Sequence, residues 1–243
     1  MRMIPTAPPP GLSRRAAAEL VGTAALVTVI VGSGIRAEAL SRDVGVSLLA
    51  NSLASAIGLG ILIALLGPLS GGHLNPAVTL CEWWARRGEE KAPGVREVAA
   101  YCAAQLVGAV AGALLAETMF GRAPGTWSTQ VRSDHHLLLG ETVATAGLVL
   151  LVLGLRRIGR LALAPLAVAA YIAAAIWFTS SGSFANPAAT VGRALSDSFT
   201  GIAPGSLPGF VGAQLLGTLL GVALASLLYG RGEPNSADSR RTG

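Results

Sequence analysis

The amino-acid sequence predicts an all-α membrane protein of six transmembrane helices and two re-entrant half-helices, built as an inverted three-helix repeat. Three observations predict this class. First, the 243 residues are 52% hydrophobic and 13% charged, about half the roughly 25% charge of an average soluble domain. Second, two stretches lack Asp, Glu, Lys and Arg altogether: Val44–Cys81, 38 residues, and Leu161–Gly192, 32 residues. One span needs about 20 residues, so each stretch is too long for one crossing and too short for two with a turn. Third, three sets of landmark residues recur in the same order in the two halves. The charge deficit excludes a soluble globule and a disordered chain. The net charge of +5, scattered between apolar runs, reads as topological bias across a bilayer and excludes a nucleic-acid binder.

The elements follow in order. Residues 1–14 are Pro-rich and read as a tail. The first span is expected near Arg15–Ile35, with no convincing small-residue cleavage site after it. The Val44–Cys81 stretch holds a second span, breaks at Gly67–His73, and resumes at Asn75 as a short helix. A third span near Val98–Ala116 completes a first repeat of about 15–119. A fourth near Leu137–Leu155 opens a second repeat of about 137–229. The Leu161–Gly192 stretch holds the fifth span, breaks at Thr179–Ser183, and resumes at Asn186. The sixth span is expected over Leu207–Tyr229, and 230–243 form a polar tail, so 15–229 make one channel-like domain. Backbone that turns back at membrane depth is tolerated only where it is buried in protein or lines a water-filled cavity, which already suggests a pore. Cys81 and Cys102 read as reduced packing residues rather than a disulfide. His135 and His136, beside Asp134, read as a solvated pair in a loop rather than a metal site. No cofactor and no enzymatic constellation is expected.

The repeat is explicit in the residues. Glu19-Leu-Val-Gly-Thr-Ala matches Glu141-Thr-Val-Ala-Thr-Ala, Asn75-Pro-Ala-Val-Thr-Leu matches Asn186-Pro-Ala-Ala-Thr-Val, and Ala104-Gln105-Leu-Val-Gly108 with Gly112 matches Ala213-Gln214-Leu-Leu-Gly217 with Gly221. Three spans per half force the halves into opposite orientations. If both termini face the cytoplasm, the inner segments hold thirteen Lys and Arg (Arg2, Arg14, Arg15, Arg86, Arg87, Lys91, Arg96, Arg156, Arg157, Arg160, Arg231, Arg240, Arg241). The outer loops hold five (Arg36, Arg42, Arg122, Arg132, Arg193). That bias places both termini inside.

Proline at a helix's first position lacks only an N–H that would be unpaired there anyway, and asparagine before it can cap the helix. Asn75-Pro76-Ala77 and Asn186-Pro187-Ala188 therefore each read as a helix start near the midplane. Two positive dipole ends meeting there repel cations and protons, while the asparagine amides offer N–H donors to a passing hydroxyl. One Asn-Pro-Ala is a common loop tripeptide. Two at matched positions of an inverted repeat point to a pore.

Ser70-Gly-Gly-His-Leu-Asn-Pro-Ala-Val-Thr79, with the matched Glu, Gln and Gly landmarks, strongly resembles the aquaporin and glycerol-channel family, the major intrinsic proteins, over about Arg15–Tyr229. The resemblance implies a homotetramer with one pore per subunit, multi-pass in membrane lipid, here the bacterial inner membrane. It implies that Glu19 and Glu141 hold the re-entrant loops by accepting backbone N–H bonds, a structural role preferred here to a proton relay. It also places His73 in the inner vestibule, the alternative being a capped loop histidine.

The filter departs from the family pattern. The position after the second Asn-Pro-Ala, usually arginine, is Ala189. The position twelve before Asn186, histidine in water-selective members, is Ala174. The position twenty before Asn75, usually aromatic, is Ser55, and the fourth, three before Asn186, is Ser183. A filter of four small side chains favours larger neutral solutes over strict water selectivity. Arg193, one helical turn beyond Ala189, either reaches back into the outer vestibule or snorkels to the interface. The segment Ser183–Gly201 resembles a bacterial subgroup associated with arsenic resistance. The solutes so implied are glycerol-like molecules or arsenite, an uncharged trihydroxy species, besides water. Two alternatives stand beside this one: a water-selective pore completed by Arg193 and Trp177, and an ion-coupled secondary transporter, which inverted repeats with broken helices also build. No acidic residue or histidine near the paired helix starts favours the latter.

Overall fold

The computed structural model describes residues 10–89 and 92–230. Of the basic residues that set the expected orientation, Arg2, Lys91, Arg231, Arg240 and Arg241 lie outside the described residues, as does most of both expected tails. Among the described residues eight α-helices follow in order: α1 (Leu12–Leu40), α2 (Val44–Ser70), α3 (Pro76–Arg86), α4 (Val95–Met119), α5 (His135–Arg157), α6 (Ala164–Phe178), α7 (Pro187–Arg193) and α8 (Leu207–Tyr229). Short 3₁₀ turns at Leu161–Leu163 and Pro204–Ser206 precede α6 and α8. Six helical segments are long and apolar enough to cross a membrane, in the order the sequence predicts. α1 begins three residues before the expected span and runs five beyond it. α8 coincides with its expected limits.

Local chemistry sets the boundaries. Asp43 caps α2, its Oδ1 accepting the backbone N–H of Gly45 at 2.7 Å and Val46 at 3.1 Å. α2 ends where Gly71 adopts φ 94°, a left-handed conformation that glycine enters without a Cβ penalty. α5 ends on Arg156 and Arg157, cations at the negative end of the helix dipole. Arg15 of α1 pairs with Glu97 of α4, and Arg156 of α5 pairs with Glu82 of α3. The first pair joins the starts of α1 and α4 and the second the ends of α3 and α5, where Tyr229 at the end of α8 lies against Gly154 of α5; these ends form what is called below the terminal face.

The inverted repeat is visible in burial. The most apolar windows of α1 and α5 are 56% and 61% buried, those of α4 and α8 both 33%, and those of α2 and α6 22% and 17%. Each pair holds equivalent places in the two halves, with α1 and α5 central. The glycine landmarks explain the close crossings. A Cβ on Gly217 or Gly221 of α8 would lie 2.5 and 2.6 Å from the Thr142 and Ala146 carbonyls of α5. Gly108 and Gly112 of α4 meet the Leu20 and Ala24 carbonyls of α1 in the same way. Small residues that let backbones touch are how helices pack where lipid supplies no hydrophobic drive. Apolar clusters around Val27, Val31, Ala109 and Ala113 and around Ala144, Leu148, Val168 and Ile172 lie one in each half and hold the short helices between them.

Candidate functional site

α3 and α7 start at the junction of the two halves, and the same three devices fix each start. Each asparagine caps its own helix: Asn75 Oδ1 accepts the Ala77 N–H at 2.9 Å, and Asn186 Oδ1 accepts those of Ala188 and Ala189 at 3.0 and 3.2 Å. Each asparagine also reaches across the repeat. Asn75 Nδ2 donates to the Ala185 carbonyl at 2.7 Å, and Asn186 Nδ2 donates to the Leu74 carbonyl at 2.9 Å. An amide nitrogen carries two hydrogens, so each asparagine keeps a second N–H for a solute. The residues before them are strained in matched fashion, Leu74 at φ 51° and Ala185 at φ 45°, with Gly72 and Ser183 at 61° and 47°. Left-handed non-glycine residues persist only where the surroundings over-determine them.

Buried glutamates supply that over-determination. Glu19 Oε1 accepts the Ser70 hydroxyl at 2.6 Å and the His73 N–H at 3.0 Å, and its Oε2 accepts the Leu74 N–H at 2.6 Å and Gln105 Nε2 at 2.8 Å. Glu141 accepts the N–H groups of Phe184 and Ala185 at 2.8 and 2.9 Å and Gln214 Nε2 at 2.7 Å. Gln105 and Gln214 also donate to Thr79 and Thr190, one turn into each half-helix. Loop, half-helix and span are thus tied together twice, by residues 122 positions apart in Glu19 and Glu141.

A cavity of about 570 Å³ runs past this junction. Its walls include Ser55, His73, Asn75, Ser183, Asn186, Ala189 and Arg193, so the structure brings most of the sequence-predicted site into one conduit. Pro76, Ala77, Pro187 and Ala188 lie just behind, buried in the first turns of α3 and α7. The Ser55 and Ser183 hydroxyls, both buried, have no partner among the described residues. His73, just before the start of α3, has its backbone and its ring in different surroundings. Its backbone is held by Glu19, while its ring faces the conduit, with Nδ1 3.1 Å from Thr79 Oγ1 and an edge against Tyr101.

Ala174 is the exception. It is exposed on the outside of the subunit and absent from the conduit wall, where α6 instead presents Val168, Ile172 and Ile176. Those three recur every four residues, whereas Ala174, two from each neighbour, is turned about 200° away on a 3.6-residue helix. Counting back from Asn186 fixes a distance along the chain but not the rotation of α6. Trp177 is also outside the wall: its ring is half exposed and its indole N–H donates to Ser52 Oγ at 3.1 Å. Arg193, by contrast, is 8% exposed and does not snorkel. Its Nε donates to the Thr200 carbonyl at 2.5 Å and its guanidinium lies 3.2 Å from the centre of the Phe184 ring.

Two wall residues escaped the sequence reading. Glu82 of α3 and Arg156 of α5 line the conduit toward the terminal face and form an ion pair, with Arg156 Nε 3.1 Å from Glu82 Oε1. The signal was present: Glu82 stands seven residues after Asn75, as Arg193 stands seven after Asn186.

A six-span inverted repeat with two capped half-helices meeting in a continuous conduit defines a membrane channel rather than an enzyme. Residues 9–179 match the family model for the major intrinsic proteins. The chain is 46% identical over 223 residues to the aquaglyceroporin AqpS of Rhizobium meliloti (strain 1021), covering 92% of this chain and 93% of that protein. It is 34% identical to the probable aquaporin TIP3-2 of Oryza sativa subsp. japonica, over 90% and 82% of the two chains. Its fold is similar to the X-ray structure of the aquaglyceroporin from Plasmodium falciparum, with a TM-score of 0.69, 20% identity, and coverage of 90% and 97%. The chain belongs to the major intrinsic protein family and is a multi-pass integral membrane protein.

Proposed function

We propose that the chain is a passive channel for small uncharged polyhydroxy solutes, glycerol-like molecules or arsenite, with both termini cytoplasmic in the bacterial inner membrane and one conduit in each subunit of a homotetramer. One observation carries the solute class. Where the family pattern sets an arginine, Ala189 lines the conduit, and the neighbouring wall offers the unpartnered hydroxyls of Ser55 and Ser183. A methyl group leaves room that a guanidinium would fill. The two hydroxyls and the free N–H of each asparagine offer a trihydroxy solute successive hydrogen-bond partners as it sheds water. The aquaglyceroporin named among the relatives supports the same reading.

Vesicle swelling and uptake assays with water, glycerol and arsenite test it on the wild type and on Ala189→Arg. The expected result is a loss of glycerol and arsenite flux of at least about tenfold with water flux largely retained. If the introduced arginine leaves the larger solutes untouched, the filter is not at position 189.

A second reading rests on Arg193, which is buried in the wall one turn beyond Ala189 and could narrow the outer mouth toward water selectivity. Pinned to the Thr200 carbonyl and the Phe184 ring, its guanidinium has a fixed position from which to act. On that reading Arg193→Ala raises glycerol flux relative to water. An unchanged ratio rejects a filter role for it.

A further inference from the structure

A second recess opens on the outside of the subunit, separate from the conduit, with a volume of about 850 Å³ between α3, α5 and α8. The repeat shows why it exists. In the second half, Gly192 of α7 lies directly against the Ala109 carbonyl of α4, where a Cβ would come within 2.6 Å. The positions related to Gly192 and Ala109 by the repeat are Cys81 of α3 and Thr218 of α8, both larger, and both line the recess. α3 therefore stands off α8 where α7 closes on α4. The gap is walled by Trp84, Leu153, Leu219 and Val222.

Two arginines mark one end of this apolar slot. Arg87 immediately follows α3 and Arg157 ends α5, so both sit at the terminal face; both line the recess. Among the described residues, no acidic side chain lines it. Arg87 is stacked on the Trp84 ring, 3.0 Å from its centre, which holds the guanidinium over the slot. Among the described residues neither arginine takes part in an ion pair. Apolar length ending in paired guanidinia with a tryptophan at the membrane boundary is the complement of an acyl chain and its anionic headgroup. A second copy of the chain is the less fitting occupant. The larger apolar surfaces left outside the subunit are those of α2 and α6, 22% and 17% buried, and these give copies a broader face on which to meet.

We propose that the α3–α5–α8 recess is a binding site for one anionic phospholipid, its phosphate held by Arg87 and Arg157 and one acyl chain laid along α8.

Trp83 and Trp84 provide the readout. The full chain is reconstituted in phosphatidylcholine vesicles containing a minor fraction of lipid brominated on its acyl chains, as either phosphatidylglycerol or phosphatidylcholine. Brominated phosphatidylglycerol is expected to quench the wild type more strongly at equal mole fraction, and Trp83→Phe/Trp84→Phe, which removes both tryptophans lining the recess, to remove that excess. Arg87→Gln/Arg157→Gln should lower the preference for the anionic lipid by about tenfold or more. Neither arginine touches the conduit, so solute flux in the double variant should match the wild type and report that it is folded. Equal quenching by the two headgroups, or a preference that survives the double variant, overturns the proposal. So does loss of the preference on adding soluble glycerol phosphate, which would make the ligand a free phosphate ester. Cross-linking between copies through Leu219→Cys would place a second subunit in the recess and also overturn it.

Discussion

α3 and α7 begin alike and end differently. Both start with an asparagine cap and a proline at the first position, both are clasped by the opposite asparagine, and both are tied by a glutamate–glutamine–threonine set. Six and seven residues on, the likeness stops. Cys81 faces Gly192 across the repeat, and Glu82 faces Arg193. Gly192 lets α7 lie on the backbone of α4, whereas Cys81 keeps α3 apart from α8. Glu82 is neutralised by Arg156, while Arg193 rests on a carbonyl and a ring with no carboxylate partner among the described residues. The junction that any permeating solute meets is thus symmetric, and the two mouths are not. The sign of the charge exposed to an entering solute is left to each mouth.

The junction should be the most fragile part, and unequally so. Glu19→Ala strips the acceptor from four donors (the buried Ser70 hydroxyl, Leu74 N–H and Gln105 amide and the part-buried His73 N–H), whereas Glu141→Ala strips it from three buried ones. Each buried donor left unmade costs about 1–3 kcal/mol. Both variants should therefore lose several kcal/mol, melt far below the wild type in detergent, and carry little solute, with Glu19→Ala the worse by about one such donor. Equal melting of the two variants would show that the Ser70 hydroxyl finds another acceptor. Wild-type melting of either would remove the anchoring role altogether.

The next test is of the asymmetry itself. Gly192→Ala drives a methyl to within 2.6 Å of the Ala109 carbonyl, backbone that cannot rotate away, and overpacking of this kind costs about 1–3 kcal/mol. Cys81→Ala removes one buried atom from a helix that already stands off, at about 1 kcal/mol or less. The first variant should also shift the mouth at Arg193, because Arg193 follows Gly192 directly. A larger stability loss from Cys81→Ala than from Gly192→Ala would contradict the packing difference that opens the recess.

Much of this comparison could be read in the sequence, and the residues show where reading stops. Asn75, Pro76, Asn186 and Pro187 were legible because capping is local: the chemistry lies in adjacent residues. Glu19 and Glu141 were legible because the repeat doubles every landmark and resemblance to the family gave their role. Ala174 was misplaced because spacing along a helix carries no rotation, and α6 turns Ile172 and Ile176 inward instead. Arg193 was undecided between vestibule and interface. Its answer depends on Thr200 and Phe184, which return to it through loops that no periodicity describes. Glu82 was hidden by the opposite error, since the repeat pointed to it but only its partner on α5 gives it meaning.

The smallest expected effect lies in the loops over the Arg193 mouth. Asp197 Oδ1 accepts the backbone N–H and the hydroxyl of Thr129 at 2.9 and 3.0 Å, joining the segment after α7 to the one before α5. Those bonds, the backbone one foremost, hold the Asp197 carboxyl below its usual range. A depressed folded-state pKa contributes stability that is fully present above the unfolded value, near about 4, and is lost as the pH falls through the lower folded value. The melting-temperature difference between wild type and Asp197→Asn should accordingly be constant from neutral pH down to about 5 and shrink toward zero in stronger acid. It should also be small, because the group is solvent-facing. A difference that instead grows on acidification would mean that the carboxylate is held against repulsion rather than by Thr129, and that the Arg193 mouth is braced by its arginines alone.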